Sequence, residues 1–324
     1  METGYTKLAS HEVPVFNESF IEMVKAGQTK DASVSAQAFT RNRLREESFA
    51  EKILTPIDIS NDELDKAENP ELHVKWNDRE PDVAPAVTVP LGVVPDMYQF
   101  KGDRYPSYFT RLMSPLISKD IDKLRGYDYD IRQVLLEIST KNLATELDSR
   151  FIAKVDSSLG TVNTVNSLNG YGLPQNITIS GGITRENLAE AFKAIQRLNV
   201  PFGPTQPDGG ESKGVMLMNN ITAMEFVKMG RSEIGGDLAQ QGFVTGLPSE
   251  KLLGVKPIYT LKRDLVPDNV IYLFSSEEFY GKYYRLQPLT VYMENKAFFM
   301  QFFQYMNVSL SIGNVRGAVK VTFN

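Results

Sequence analysis

The 324-residue chain contains no cysteine. Disulfides, thiolate nucleophiles and thiolate metal sites are therefore excluded, and stability must come from packing and hydrogen bonds. Histidine is nearly absent as well: the two present, His11 and His73, fall far apart in segments that read as an arm and an extended loop. Neither has a rigid third group to orient it as a base, and no second histidine or carboxylate cluster accompanies either as a metal site would need. No apolar run approaches the roughly 18 residues needed to cross a bilayer. The start, Met-Glu-Thr-Gly-Tyr-Thr-Lys, lacks the apolar core of a secretory signal, so a soluble cytoplasmic protein is expected. Positive charge is not in excess either. Lys and Arg number 35 against 40 Asp and Glu, a net charge of -5, and no basic stripe of a nucleic-acid reader stands out. If this chain meets DNA, it meets it as a wall that repels the polymer.

What is present is ordinary globular material, with 42% apolar and 23% charged residues, which argues against wholesale disorder. Its arrangement is less ordinary. Residues 1 to about 33 carry no sustained period. From Ser33 to Leu54, Ala38, Leu44, Phe49 and Ile53 form a thin apolar stripe among Arg41, Arg43, Arg45, Glu46, Glu47 and Lys52, a helix with too little apolar surface to fold unless it lies on something. Between Thr55 and Pro115 a proline recurs about every ten residues, which forbids a continuous helix. The β-prone pieces 86–89, 98–100 and 108–111 then make a long two-stranded excursion with few core contacts, the kind of segment seldom kept without a function.

From Asp130 to about Ser157 there is neither glycine nor proline. Ile131, Val134, Leu135 and Ile138 share one face, and Leu143, Leu147, Phe151 and Val155 continue a stripe after a small shift in register. About 28 residues predict a helix of roughly 40 Å, capped by Asp128 or Asp130. Residues 160–182 read as a loop with one or two edge strands. An α/β pattern follows: a helix from Thr184 to Leu198, a strand over 214–218, and a helix over 221–229 capped by Asn220. Strands are predicted over 255–260 and 270–274, joined by a turn through Pro267, Asp268 and Asn269, with a short helix over 277–283. Strands over 289–292, 297–305, 308–312 and 317–323 close the chain.

Motifs that carry chemistry fail one by one. Gly203 to Gly214 has glycines and Lys213 but lacks the Gly-Lys-Ser/Thr ending and precedes a strand where a phosphate loop needs a helix. Asp58 to Asp62 lacks the glycine and terminal glutamate of a calcium loop. The aromatic clusters at 280–284 and 298–305 suit core and interface better than base stacking, which wants interleaved arginines. Trp76, the single tryptophan, sits on the extended excursion, where a neighbouring subunit would have to cover it. No catalytic residue, cofactor or metal is expected. An under-packed arm, a long excursion and one very long helix each expose surface the chain cannot bury, which points to an interlocked assembly.

The order arm, extended loop, long helix, α/β middle and β-rich return resembles the Hong Kong 97-type major capsid protein of tailed bacteriophages, over essentially the whole chain. The stretches that carry the resemblance are Arg41-Asn-Arg-Leu-Arg-Glu-Glu-Ser-Phe-Ala-Glu-Lys-Ile-Leu54 and Tyr127-Asp-Tyr-Asp-Ile-Arg-Gln-Val134. Two more are Leu253-Gly-Val-Lys-Pro-Ile-Tyr-Thr-Leu261 and Asp264-Leu-Val-Pro-Asp-Asn-Val-Ile-Tyr-Leu273. The resemblance implies an α+β Hong Kong 97-like fold: residues 1–54 an N-terminal arm, 55–112 the E-loop, 113–182 a P-domain with the long helix as spine, 183–284 an α/β A-domain, and 285–324 a return to the P-domain. It implies self-assembly into hexamers and pentamers of an icosahedral head around double-stranded DNA, in the virion after assembly in the host cytoplasm. Contacts between subunits would then involve Arg41, Arg43 and Arg45 in the arm, and Trp76, Tyr98, Phe100, Arg104 and Tyr105 in the E-loop. Gly235, Gly236 and Asp237, within the axial loop 232–245, would make contacts around the symmetry axes.

The resemblance also implies a portal and, in some members, a decoration protein. The N-terminal region is too short to carry its own scaffold, so a separate scaffolding protein is expected. Some members join subunits by a Lys-Asn isopeptide bond, for which Lys101 with Asn295, Asn307 or Asn314 would be the candidates. Two alternatives stand beside this. An encapsulin-type compartment shell has a similar fold but houses a protein cargo, and usually has a shorter arm. A two-domain α/β enzyme would place its site in the 203–214 or 230–246 loops and would be a small soluble particle with perturbed acids in a pocket.

Overall fold

The structure, a computed structural model, describes residues 48–67, 69, 71–79, 88–91, 94, 97, 102–120, 131–162, 172–203, 213–227, 251, 254–296 and 298–324. The side chains of 131–136, 295 and 296 are outside that description. The expected arm helix therefore lies outside it up to residue 47, and within the described part of that span one turn, α1 (Ala50–Ile53), begins after Phe49.

One helix organises the molecule. α2 (Ile131–Ser158) is 28 residues long, about 42 Å at the usual rise. Leu143, Leu147, Phe151 and Val155 recur every fourth residue, and all four are buried. Each fully buried side chain of this kind contributes about 1.5–3 kcal/mol. Ile138, on the other side of the expected register shift, is 48% exposed.

A five-stranded sheet packs on α2. It combines β1 (Pro56–Asp58), β4 (Thr110–Met113), β5 (Ile117–Asp120), β12 (Gly281–Lys296) and β13 (Phe299–Ile312). β12 and β13 form one antiparallel hairpin, and the free side of β13 is shared between β5 at 299–302 and β4 at 305–308. Even-numbered residues of β13 from Met300 to Leu310 are buried, as period-2 alternation over a core requires. The strands expected over 297–305 and 308–312 are thus one, because Asn307 keeps partners on both sides, Gln287 and Arg111. Proline sits where a missing donor costs least: Pro56 is in the edge strand β1, and Pro288 lies within the irregular register of β12.

β6 (Thr161–Val162) and β7 (Leu173–Pro174) pair with each other, and the second sheet contains β8 (Asn176–Ile179), β9 (Val215–Asn219), β10 (Lys256–Thr260), β11 (Val270–Phe274) and β14 (Ala318–Phe323), in the order β10-β9-β11-β14-β8. Central β11 is buried throughout, as a strand covered on both faces must be. Leu217, Tyr272, Phe274 and Ala318 face the α2 core, whereas Met216, Met218, Ile271, Leu273, Val319 and Val321 face a second core. That second core is covered by α3 (Arg185–Gln196) and includes Ala223 and Phe226 of α4 (Asn220–Val227). β10 and β11 are not neighbours, since β9 lies between them and residues 261–269 cross over it. The C-terminal strand does not return to the hairpin sheet. β14 pairs with β11 and β8.

Local signals explain the helix starts. The Thr184 hydroxyl accepts from Asn187 N–H at 3.2 Å, capping α3 at the start expected for it. α4 is capped one residue earlier than expected: Asn219 Oδ1 accepts from Thr222 N–H at 2.7 Å, and Asn220 lies inside the helix. The short helix α5 (Glu277–Tyr280) ends at Tyr280, because Gly281 is already in β12. Asp128 and Asp130 are outside the described residues.

Candidate inter-subunit surface

β2 (Val74–Arg79) and β3 (Asp103–Tyr108) pair antiparallel as a separate two-stranded ribbon. The excursion is therefore narrower than the proline spacing implied: its flanks, β1 and β4, belong to the hairpin sheet.

The root of the ribbon is fastened by a chain of polar groups. Asn77 Oδ1 accepts from the Tyr284 hydroxyl, Asn77 Nδ2 donates to Ser107 Oγ at 2.5 Å, and Ser107 Oγ donates to Ser311 Oγ at 2.7 Å. All four residues are buried, so each hydrogen bond avoids a desolvation cost of about 1–3 kcal/mol. Burial pushes the Tyr284 phenol above its ordinary range. Arg79 Nη2 donates to the Gly313 carbonyl at 2.7 Å, and the Tyr105 ring lies directly against Gly313, where a Cβ would stand 2.5 Å from the phenol oxygen. Sequence reasoning missed Asn77, Ser107, Ser311 and Tyr284. Two of the three bonds join residues 207 and 204 positions apart, and the only local trace is polar residues inside otherwise regular strands.

The expected ribbon contacts are placed unevenly. Tyr105 packs on its own chain, and burial raises its pKa against the opposing effect of Arg79. Arg104 meets Asp78 directly across the strands at 2.6 Å, in a highly exposed pair. Such pairs contribute about 0–1 kcal/mol. Trp76 is half-buried: its indole N–H donates to the Lys66 carbonyl at 3.3 Å and its backbone N–H to Asp65 at 2.8 Å. Its own chain thus supplies part of the cover assigned to a neighbour. Tyr98, Phe100, Lys101, Arg41, Arg43, Arg45, Gly235, Gly236 and Asp237 lie outside the described residues.

Two apolar surfaces face outward. Beyond the ribbon, Leu91, Val94 and Met97 are 105%, 86% and 91% exposed. On the face of the hairpin sheet turned away from α2, Tyr292 lies 5.0 Å from Phe303 and Phe303 lies 5.9 Å from Tyr305, ring centre to ring centre. Arg111 stands over Tyr305 at 5.3 Å, and Phe298 at the hairpin tip is 74% exposed. The cation missing from the sequence run around Tyr305 is supplied by β4. Beside it, shallow clefts meet at His73, Leu286 and Asn307. His73 is exposed.

Of the asparagines considered for an isopeptide bond, Asn307 accepts from Arg111 at 3.0 Å and donates to Gln287 at 3.0 Å, and Asn314 caps the turn Val315–Gly317. Both amides are engaged. The side chain of Asn295 is outside the described residues. No group of three or more potential metal ligands occurs among the described residues, and none of their helices is long and apolar enough to cross a membrane.

No protein-family model and no curated protein matches this chain. Solved structures do. The capsid structure of the cyanophage P-SCSP1u aligns with a TM-score of 0.61 at 13% identity, covering 86% of this chain and 88% of that one. A subunit of the mature capsid of bacteriophage PhiM1 aligns at 0.59 and 8% identity, over 86% and 87%. The virus-like particle from Pyrococcus furiosus aligns at 0.52 and 14% identity, over 89% and 96%. The chain has the fold of these particle-forming proteins.

Proposed function

We propose that this chain is the major capsid protein of a tailed bacteriophage, of the Hong Kong 97 type, and that it self-assembles into the icosahedral head that encloses double-stranded DNA. The observation that carries the reading is the match, over most of both chains, to phage capsid subunits. The outward-facing apolar surfaces described above support it, because a monomer rarely leaves such area uncovered. The arm would span 1–54, the E-loop 55–112, the P-domain 113–182 and the A-domain 183–284. Residues 285–324 would complete the P-domain, with β14 lent to the sheet of the A-domain. Arg41, Arg43, Arg45, Trp76, Tyr98, Phe100, Arg104 and Tyr105 would face neighbours, and Gly235, Gly236 and Asp237 would gather at the axes. A separate scaffolding protein, a portal and a decoration protein would complete the particle, built in the host cytoplasm.

The encapsulin-type compartment shell is the less favoured reading, since phage capsid structures stand among the aligned ones. Negative-stain microscopy and size-exclusion of the expressed chain, with and without scaffold, test both. Shells, tubes or capsomers support the assembly, and co-purifying protein cargo in place of DNA would favour the compartment. A monomer under every condition would refute both.

A further inference from the structure

Two exposed features of the hairpin sheet are chemically incomplete, and each supplies what the other lacks. The first is Arg111 of β4. Its Nε donates to Asn307 Oδ1 at 3.0 Å, and its guanidinium stands over the Tyr305 ring at 5.3 Å. Asn307 is itself fixed: its Nδ2 donates to Gln287 Oε1 at 3.0 Å, and Gln287 Nε2 donates to the Tyr305 hydroxyl at 3.2 Å. The guanidinium is thus oriented from one edge and one face. Neither Glu71, on the same cleft, nor any other described residue pairs with its two terminal nitrogens. A planar fork held in this way loses little freedom on meeting a carboxylate, which it matches with two parallel hydrogen bonds. Beside the fork lies the cleft at His73 and Asn307, with Leu72, Phe109 and Leu286 as its apolar wall.

The second feature is the tip of the β12–β13 hairpin. Glu294 is exposed there, and no described residue bonds its carboxylate. Phe298 and Phe299 beside it are exposed as well. Aromatic side chains and arginines are what interfaces bury at their centres. The tip cannot serve the cleft of its own chain. Phe299 and Asn307 are eight residues apart along β13, about 27 Å at the usual rise. A second copy can bring the two together, and its carboxylate and ring complement the fork and the apolar wall in charge and in polarity.

We propose that the hairpin tip of one copy docks in the cleft of the next, with Glu294 on the Arg111 fork and Phe298 against Leu72, Phe109 and Leu286. Two different patches meet, so the contact runs head to tail and closes into a ring where the rotation between copies allows. A solvent-exposed ion pair would add little. Here the aromatic ring excludes water from the pair, so reversing either charge leaves two like charges together in a dry contact. The place of such a ring in a closed shell rests on the capsid reading; the contact does not.

The test is sedimentation velocity of the full chain across a concentration series. It compares wild type with Arg111→Glu, Glu294→Arg, Phe298→Ser and the double swap of Arg111→Glu with Glu294→Arg. Each charge reversal, and Phe298→Ser, is expected to weaken self-association about tenfold or more. The swap is expected to restore most of that loss, because the pair is again opposite in sign. No loss in either reversal, or a loss the swap does not recover, overturns the proposal. If Arg111→Glu fails to fold, a disulfide trap decides between Phe298→Cys and Leu72→Cys, since the chain has no cysteine of its own. Covalent oligomers on a denaturing gel after mild oxidation support the contact, and monomer alone overturns it. Shells are scored separately by electron microscopy. Association that follows the charge pattern without shells keeps the contact and refutes the capsid reading, and shells indifferent to both reversals do the reverse. A wild type that stays monomeric at every concentration overturns both.

Discussion

Gly281 stands where α5 turns directly into β12, opposite Ile312 of β13. A Cβ there would lie 2.4 Å from the Ser311 carbonyl oxygen and 3.3 Å from the Ile312 Cα. The obstacle is paired backbone, so no side chain can swing away. Relief requires the two strands to part by about 1 Å. Overpacking of this kind costs about 1–3 kcal/mol, and weakening one ladder hydrogen bond adds about 1 kcal/mol. Gly281→Ala is therefore expected to destabilise the subunit by about 2–4 kcal/mol. With an unfolding entropy of roughly 0.7 kcal/mol/K for a chain of this size, the melting temperature falls by about 3–6 °C. Gly313→Ala is the control. Its Cβ would meet the end of the Tyr105 ring, which can move, so the cost is smaller, about 1 kcal/mol, and is confined to the ribbon root. The assay is chemical denaturation of the soluble subunit, with hydrogen exchange to locate the change. A Gly281→Ala protein within about 0.5 kcal/mol of wild type would refute the strand spacing on which the reasoning depends.

Other expectations follow from the cores and the buried phenols. Leu147→Ala, in the centre of the buried stripe of α2, should cost about 2–5 kcal/mol in the same denaturation assay; a surface-like value would mean that α2 does not pack as described. Thr184→Ala should cost about 1 kcal/mol through loss of the α3 cap, with Thr184→Ser nearly neutral. Burial holds the Tyr259 phenol up at about 12 and raises Tyr280 and Tyr283 as well, while the same groups in an unfolded chain ionise near pH 10. Below pH 10 neither state loses these protons, and the three phenols leave stability unchanged. Above it the unfolded chain binds fewer protons, so stability falls as pH rises. Tyrosinate absorbance followed with denaturation across that range checks the sign.

What could be read from the sequence was whatever depends on nearest neighbours. The span of α2 was legible within a residue, because a long stretch without glycine or proline carries a four-residue stripe. Thr184 was legible because its cap partner is three residues away. The cap of α4 was misplaced by one, since Asn219 and Asn220 are indistinguishable until the strand register is known. The continuity of β13 through Asn307 was hidden for the same reason: partners on both flanks keep a polar residue in the ladder. The ribbon was visible as an excursion, but its fastening was not, because Asn77, Ser107, Ser311 and Tyr284 meet only through the tertiary fold. Ile138 shows the limit of periodicity, which identifies a face but not what covers it.

The most direct test of the account is a cryo-EM reconstruction of particles formed by the expressed chain. The account predicts a closed shell in which Leu91, Val94 and Met97, beyond the ribbon, are covered by an adjacent copy and the Tyr292, Phe303 and Tyr305 face is covered by a neighbour. Particles in which Leu91, Val94 and Met97 stay open to solvent, or a chain that stays monomeric with that aromatic face uncovered, would contradict it.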